Sequence, residues 1–278
     1  MPLTFLRHPL TRHLDLNDPR ATICRRQIIR EKLFLRCIYQ EWYAWICSEI
    51  PDIGGAVLEI GSGGGFLSEY IPGLITSEVL LISGVDVVLD GCVLPFSSAS
   101  LKAIVMVDVF HHLPDVKAFL CEAHRCLKPG GKIIMVEPWI TPWSSLVYRL
   151  VHYEPMDRHA SEWAFSGSGP LSGANIALPW IVLKRDRQRF ERLFTGLAVE
   201  KIIVEMPFRY LFSGGVSLRT LMPAALYGFW TRVESWLTPF NRSIGMFSRI
   251  VVKSLSEEAR RKREGEDVQT EDARVRVI

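Results

Sequence analysis

Residues 56–65 read Ala56-Val57-Leu58-Glu59-Ile60-Gly61-Ser62-Gly63-Gly64-Gly65, a short apolar run that enters a cluster of glycines. The apolar half has the length and composition of a buried strand, and the glycine half is turn chemistry. Glycine lets a backbone approach a ligand where a Cβ would collide. Phe66–Ile71 is predicted to open a helix whose free N–H groups face the turn. A dinucleotide fingerprint, G-x-G-x-x-G, would need glycine at position 66. That position is Phe, the spacing is G-x-G-x-G, and the acid Glu59 stands two residues ahead of it. Carboxylates beside such a loop suit a cationic ligand better than a diphosphate.

Outward from the loop, strands alternate with turns and helices. Leu74–Leu81, Gly84–Leu89 and Ala103–Val109 are β-branched and apolar, as strands are. Asp115–Leu127 is predicted as a helix closed by Lys128-Pro129-Gly130-Gly131, and Lys132–Glu137 as the next strand. Leu197–Met206 and Phe247–Lys253 complete a set of seven. Ahead of the loop, Arg25–Ile50 carries apolar residues at helical spacing from Ile28 to Ile46, with no Gly or Pro to interrupt them. The expected fold is α/β and Rossmann-like, a mostly parallel seven-stranded sheet with helices on both faces. Residues 1–50 form an arm and a cap helix, and residues 51–254 the main domain. Inserts fall at about 138–196 and 208–246, the second helical around Leu226–Leu237. Residues 255–278 mix both charge signs with few large apolar groups and are expected to be disordered.

Composition narrows the class further. A 48% hydrophobic chain of 278 residues can bury a sizeable core. A net charge of +3 is too small for the basic stripe of a nucleic-acid binder, so no nucleic-acid partner is expected. Cys24, Cys37, Cys47, Cys92, Cys121 and Cys126 form no C-x-x-C pair and have no histidine at zinc-finger spacing. They read as reduced core thiols, and no metal site is expected. Neither a signal-peptide run nor an uncharged apolar stretch of about 18 residues is present, which points to a cytoplasmic protein.

The motifs between Val57 and Glu137, taken in order, resemble the class I S-adenosylmethionine (SAM)-dependent methyltransferases of the small-molecule type 11 kind. Their first loop, [DE]-x-G-x-G-x-G, is matched by Glu59, Gly61, Gly63 and Gly65. Asp90-Gly91-Cys92-Val93-Leu94-Pro95-Phe96 stands for their D-A-x-x-L-P-F segment. His111-His112-Leu113 and Leu127-Lys128-Pro129-Gly130-Gly131 supply the H-H-L tail and the L-[KR]-P-G-G turn. The resemblance implies SAM as cofactor and S-adenosylhomocysteine (SAH) as product. It implies a cradle of Gly61, Ser62, Gly63 and Gly65, with Glu59 orienting the ammonium through water. Asp90 and Gly91 would meet the adenine, and Asp108 the methionine part.

Two acids can serve the ribose, Glu78 and Asp86. An acid about 20 residues beyond the loop is the usual distance, which favours Glu78. Choosing Asp86 leaves only Val87–Leu89 before Asp90, too few residues for another strand.

Methyl transfer is an in-line displacement in which the cofactor carries the activation and the protein aligns the partners. His111 and His112 are candidate bases at the sheet edge, and Glu137 is a second base or substrate-orienting candidate. Arg209, Tyr210 and Arg219 are candidates for an anionic acceptor. The aromatic segments Trp139–Tyr153 and Tyr227–Trp236 would line an acceptor pocket, rest on a membrane surface, or pack the core. The acceptor class is a small molecule, a glycan precursor or a lipid-like metabolite, and the oligomeric state is left open. The alternatives are a noncatalytic SAM-binding scaffold and an NAD(P)-dependent oxidoreductase, the latter opposed by Phe66.

Overall fold

The computed structural model describes residues 6–15, 17–151, 154–166, 169 and 173–261. Its sheet is built from β1 (Ala56–Ile60), β2 (Ile75–Glu78), β3 (Val87–Val88), β4 (Leu101–Val107), β5 (Leu127–Pro138), β6 (Leu197–Glu205) and β7 (Phe247–Ser254). The order is β3-β2-β1-β4-β5-β7-β6. The first five strands pair in parallel, and β7 runs antiparallel between β5 and β6. This is the expected mostly parallel seven-stranded, Rossmann-like sheet.

Successive strand residues point to opposite faces, so a run of buried neighbours means that both faces are covered. Ala103–Met106 and Ile133–Val136 are such runs. Helices α1 (Pro19–Glu31), α2 (Leu33–Glu49) and α3 (Val116–Cys126) contribute to the cover, and α2 and α3 both pack on β5. The carboxyl side chain of Asp115 caps α3 by accepting from Ala118 N–H at 3.0 Å. After β5 come α4 (Pro142–Val151), the short α5 (Leu178–Trp180) with a π-turn (Ile181–Arg185), and α6 (Arg187–Leu193). Between β6 and β7 lie α7 (Arg209–Ser213), α8 (Tyr227–Trp236) and α9 (Asn241–Ile244).

Several expectations need correction. The helix over 25–50 is two helices, broken at Lys32, where ψ turns to 87°. There the ammonium of Lys32 donates to the carbonyls of Gly215 (2.5 Å) and Leu218 (3.0 Å), tying the break to a distant loop. The helix predicted from Phe66 is only a 3₁₀ turn, Leu67–Glu69, preceded by another at Ser62–Gly64. Phe66 is spent otherwise: its N–H donates to Tyr43 Oη at 3.1 Å, and its ring packs edge-on against Tyr43. Strand β3 keeps only two of the six residues from Gly84 to Leu89. The predicted turn at Lys128–Gly131 lies inside β5, where the register against β4 shifts. The strand at 247 runs through Ser254, residues 257–261 are helical, and the rest of the expected disordered tail lies outside the described residues. All six cysteines are free, but only Cys126 is buried and Cys121 is exposed. No helix among the described residues is long and apolar enough to cross a membrane.

Candidate active site

Strand order reverses between β1 and β4, and crevices in such sheets open at the carboxyl ends beside the reversal. A cavity lies there. Its wall includes Gly61 and Gly64 after β1, Glu78 ending β2, Asp90 and Gly91 after β3, and Asp108 and His112 after β4. Thr22 and Arg25 of α1, Tyr39 of α2, Glu154 and Val216 complete the rim. Of the residues predicted for the cofactor, Gly61, Glu78, Asp90, Gly91 and Asp108 face this cavity. Glu59, Ser62, Gly63 and Gly65 do not line it.

The reason is that the glycine loop is packed from behind. Gly61 has φ +73°, a left-handed conformation that disfavours a side chain, and an added Cβ would lie 2.5 Å from Val109 Cγ2. At Gly63 a Cβ would meet Thr22 and the Glu78 carboxylate at 2.3 and 2.4 Å. Bare backbone here lets α1 and β2 close on the loop. Ser62 Oγ accepts from Ser77 N–H at 3.1 Å, joining the loop to β2. Glu59 is buried beneath the turn, and burial, with Glu78 adding to it, pushes its carboxyl up to about 7.

Glu78 accepts from Gly63 N–H (3.2 Å) with one oxygen and from Val79 N–H (2.8 Å) with the other. Each oxygen keeps a second lone pair for a ligand hydroxyl. Burial raises its pKa, and hydrogen bonds from the backbone of Val79, Gly63 and Leu80 oppose the rise. Asp86 instead turns away, accepting from the backbone N–H and hydroxyl of Thr76 at 2.9 and 2.7 Å. Asp90 forms a local turn by accepting from Cys92 N–H at 2.8 Å.

Past β4 the chain makes a knot of ionisable groups. Asp108 holds φ +62°, uncommon for a residue with a side chain and tolerated best by Asn and Asp. It lies deep in the fold yet keeps 30% of its side-chain surface open to the cavity. Burial pushes its carboxyl up to about 7, with His111 opposing and Glu137 adding. His111 is buried; its Nδ1 lies 2.8 Å from Glu137 Oε2 and its Nε2 3.4 Å from Glu154 Oε2. Burial disfavours its charge, but the bonds to Glu137 and Glu154 win and hold its pKa well above the ordinary value. Glu137 has no exposed surface, and its other oxygen accepts from Val109 and Phe110 N–H at 2.8 and 2.7 Å. It therefore positions His111 and the turn, and does not face the cavity. His112 does face it, with Nδ1 donating to Gly173 O at 3.1 Å. Burial and the neighbouring His111 push its pKa down to about 4.

A second cavity adjoins the first and shares Asp108, Glu154 and Val216 with it. Val147, Tyr148 and Val151 of α4, with Tyr210, Leu211, Met246 and Phe247, make its wall mostly apolar. Of the predicted anion binders only Tyr210 is here. Arg209 is buried in ion pairs with Glu41 and Glu234, and Arg219 lines neither cavity. The aromatic segments divide: Trp139 and Tyr148 are buried, whereas Phe229 and Trp236 of α8 are 56% and 77% exposed. Tyr153 lies outside the described residues. Glu154, Thr22, Tyr39 and Val216 had no motif to announce them. Asp18-Pro19, an N-cap followed by Pro, was the one signal that places α1 early enough to bring Thr22 to the site.

Residues 58–135 match the family model described as "Methyltransferase domain". Two curated demethylmenaquinone methyltransferases from strains of Tropheryma whipplei are 36% identical over 63 residues, 21% of this chain and 26% of theirs. The matched part is thus about a quarter of those relatives' length. Geranyl diphosphate C-methyltransferase from Streptomyces coelicolor, solved with Mg2+, geranyl-S-thiolodiphosphate and SAH, is 14% identical. That alignment covers 78% of this chain and 76% of the other, with a TM-score of 0.44. A Haloferax volcanii methyltransferase in complex with a methyltransferase activator is 16% identical over 87% of this chain and 98% of its own, with a TM-score of 0.45. The matched span, residues 58–135, contains β1 through most of β5 and the glycine loop between β1 and β2.

Proposed function

We infer that the chain transfers a methyl group from SAM to a small, largely apolar acceptor. One observation carries the acceptor class: the mostly apolar cavity opens onto the carboxylate-lined one at Asp108, Glu154 and Val216. The first cavity suits SAM by its donor set. Glu78 offers two oxygens for a ribose diol, Asp90 and Gly91 flank an adenine position, and Asp108 puts a carboxylate near a cationic centre. SAM would supply a methyl group on a sulfonium, already activated for displacement.

The chain's own residues would then bind, align and dry the site. Arg25 and Tyr39 close over the crevice from α1 and α2. Tyr148 and Tyr210 wall the acceptor side. His112 presents Nε2 toward the crevice, because its Nδ1 hydrogen is committed to Gly173. The curated relatives are named for demethylmenaquinone, a largely apolar acceptor. Exposed Phe229, Trp236 and Phe240, with Arg232 and Arg242 nearby in sequence, favour contact with a lipid surface that holds such an acceptor.

Calorimetric titration with SAH and with NADH tests the cofactor; SAH should bind and NADH should not. Labelled methyl transfer then compares a prenylated aromatic hydroxyl compound with a sugar nucleotide. Transfer to the sugar nucleotide alone defeats the apolar acceptor, and NADH binding without SAH binding defeats the whole reading.

A further inference from the structure

The paired histidines after β4 meet a third group supplied from far along the chain. His111 Nε2 lies 3.4 Å from Glu154 Oε2, and His112 Nε2 lies 3.8 Å from Glu154 Oε1. One donor atom from each of the three residues falls within 4.8 Å of the others. Zinc binds nitrogen and oxygen at about 2.0–2.1 Å, which sets two tetrahedral ligands about 3.4 Å apart. The His111–Glu154 separation equals that value, and His112 lies a few tenths of an ångström further from the other carboxylate oxygen. No such site is expected from sequence spacing, because the three donors come together only in the fold.

The surroundings of the rings point the same way. Metal-binding histidines almost always commit the second ring nitrogen to a carboxylate or a carbonyl. His111 does so to Glu137 (2.8 Å), and His112 to the carbonyl of Gly173 (3.1 Å). Glu137 is itself held by the N–H groups of Val109 and Phe110. Both Nε2 atoms are thereby aimed at Glu154, and the rings lie 4.2 Å apart between centroids. Asp108 Oδ1, 3.9 Å from His111 Nε2, adds a further carboxylate on the cavity side.

We propose that His111, His112 and Glu154 bind one divalent metal ion of the zinc type, which displaces the proton that His111 Nε2 holds toward Glu154 and releases it to solvent. Two imidazoles and one carboxylate favour zinc or cobalt over magnesium or calcium, which take oxygen ligands. Three protein ligands leave a coordination position open, as in catalytic and not structural zinc sites. Glu154 lines both cavities and His112 the first, so an ion held by them would stand beside the junction of the two. On the methyltransferase reading, which this role rests on and the binding does not, an acceptor oxygen would occupy the open position.

The full chain, stripped with a chelator, is titrated with Co2+ followed by visible absorption and with Zn2+ by competition. One equivalent should bind, with d–d bands and no thiolate charge transfer. His112→Ala and Glu154→Gln should each weaken binding by at least about tenfold. Melting temperatures without metal show that each variant folds, and His112→Asn replaces the alanine variant if it does not. Absence of binding at millimolar metal, thiolate bands, or equal affinity in the variants overturns the site. SAH titration of the stripped wild-type chain runs in parallel. SAH binding without metal binding defeats the metal site alone, and metal binding without SAH binding defeats the functional reading alone.

Discussion

The two cavities that meet at Asp108, Glu154 and Val216 are made by different parts of the sheet and from different chemistry. The first sits at the carboxyl ends of the parallel strands β1, β2 and β4, and its wall carries Glu78, Asp90 and Asp108. The second sits beside the antiparallel β7, under α4 and the α7 loop, and its wall is Val147, Tyr148, Tyr210 and Phe247. A parallel strand must be followed by a turn at one fixed end of the sheet, so polar turn residues collect there. An antiparallel edge has no such rule, and its cavity is shaped by whatever segment crosses it. On the proposed function, charge recognition would fall to the first chamber and acceptor shape to the second.

Loss of Glu78 should break the polar chamber most severely. Its carboxylate is both a wall group and the acceptor for Gly63 N–H. Hydrogen bonds to charged groups contribute about 1.5–3 kcal/mol, so Glu78→Ala should weaken SAH binding by roughly 10- to 150-fold. Asp86→Ala removes only the contact with Thr76 and should change affinity less than about twofold, within the usual spread for surface substitutions. Calorimetry on both variants ranks them, and equal losses would refute the assignment of the ribose acid.

Filling the apolar chamber should separate the two functions. Val151 lines only the second cavity. Val151→Trp should raise KM for an apolar acceptor about tenfold, a loss of about 1.4 kcal/mol, while SAH affinity stays within about twofold. A parallel fall in SAH affinity would show that the chambers form one site.

The same division explains what the sequence disclosed. β1, the glycine turn and the helix that begins around Asp115 were legible because each is a local pattern with a local cause. Phe66 was misread because its backbone N–H and ring are both taken by Tyr43, a partner 23 residues away. The break at Lys32 depends on carbonyls more than 180 residues distant. Glu154 sits in an aperiodic stretch, and only the fold brings it to His111. Long-range packing carries no periodicity, so its contributions to the site stay hidden until the chain is folded.

The smallest expected effect is a pH dependence set by the carboxylates in and beneath the polar chamber. Burial raises Glu59 to about 7, and Glu78 is raised in the same direction. An acid whose folded pKa exceeds its unfolded value near 4.3 adds stability that is complete below the unfolded value. That stability is lost as pH rises through the folded value. His112, lowered to about 4, works in the opposite sense but is finished by about pH 6.5. The melting temperature of the wild type, measured against Glu59→Gln, should therefore fall by about 5 °C between pH 5 and 7.5. A cationic ligand favours the ionised carboxylates, so SAM should bind a few-fold more tightly at pH 7.5 than at pH 6. SAH, which lacks the sulfonium, should gain less. If the ranking is reversed, with SAH gaining more than SAM, the carboxylates of the first chamber do not recognise positive charge.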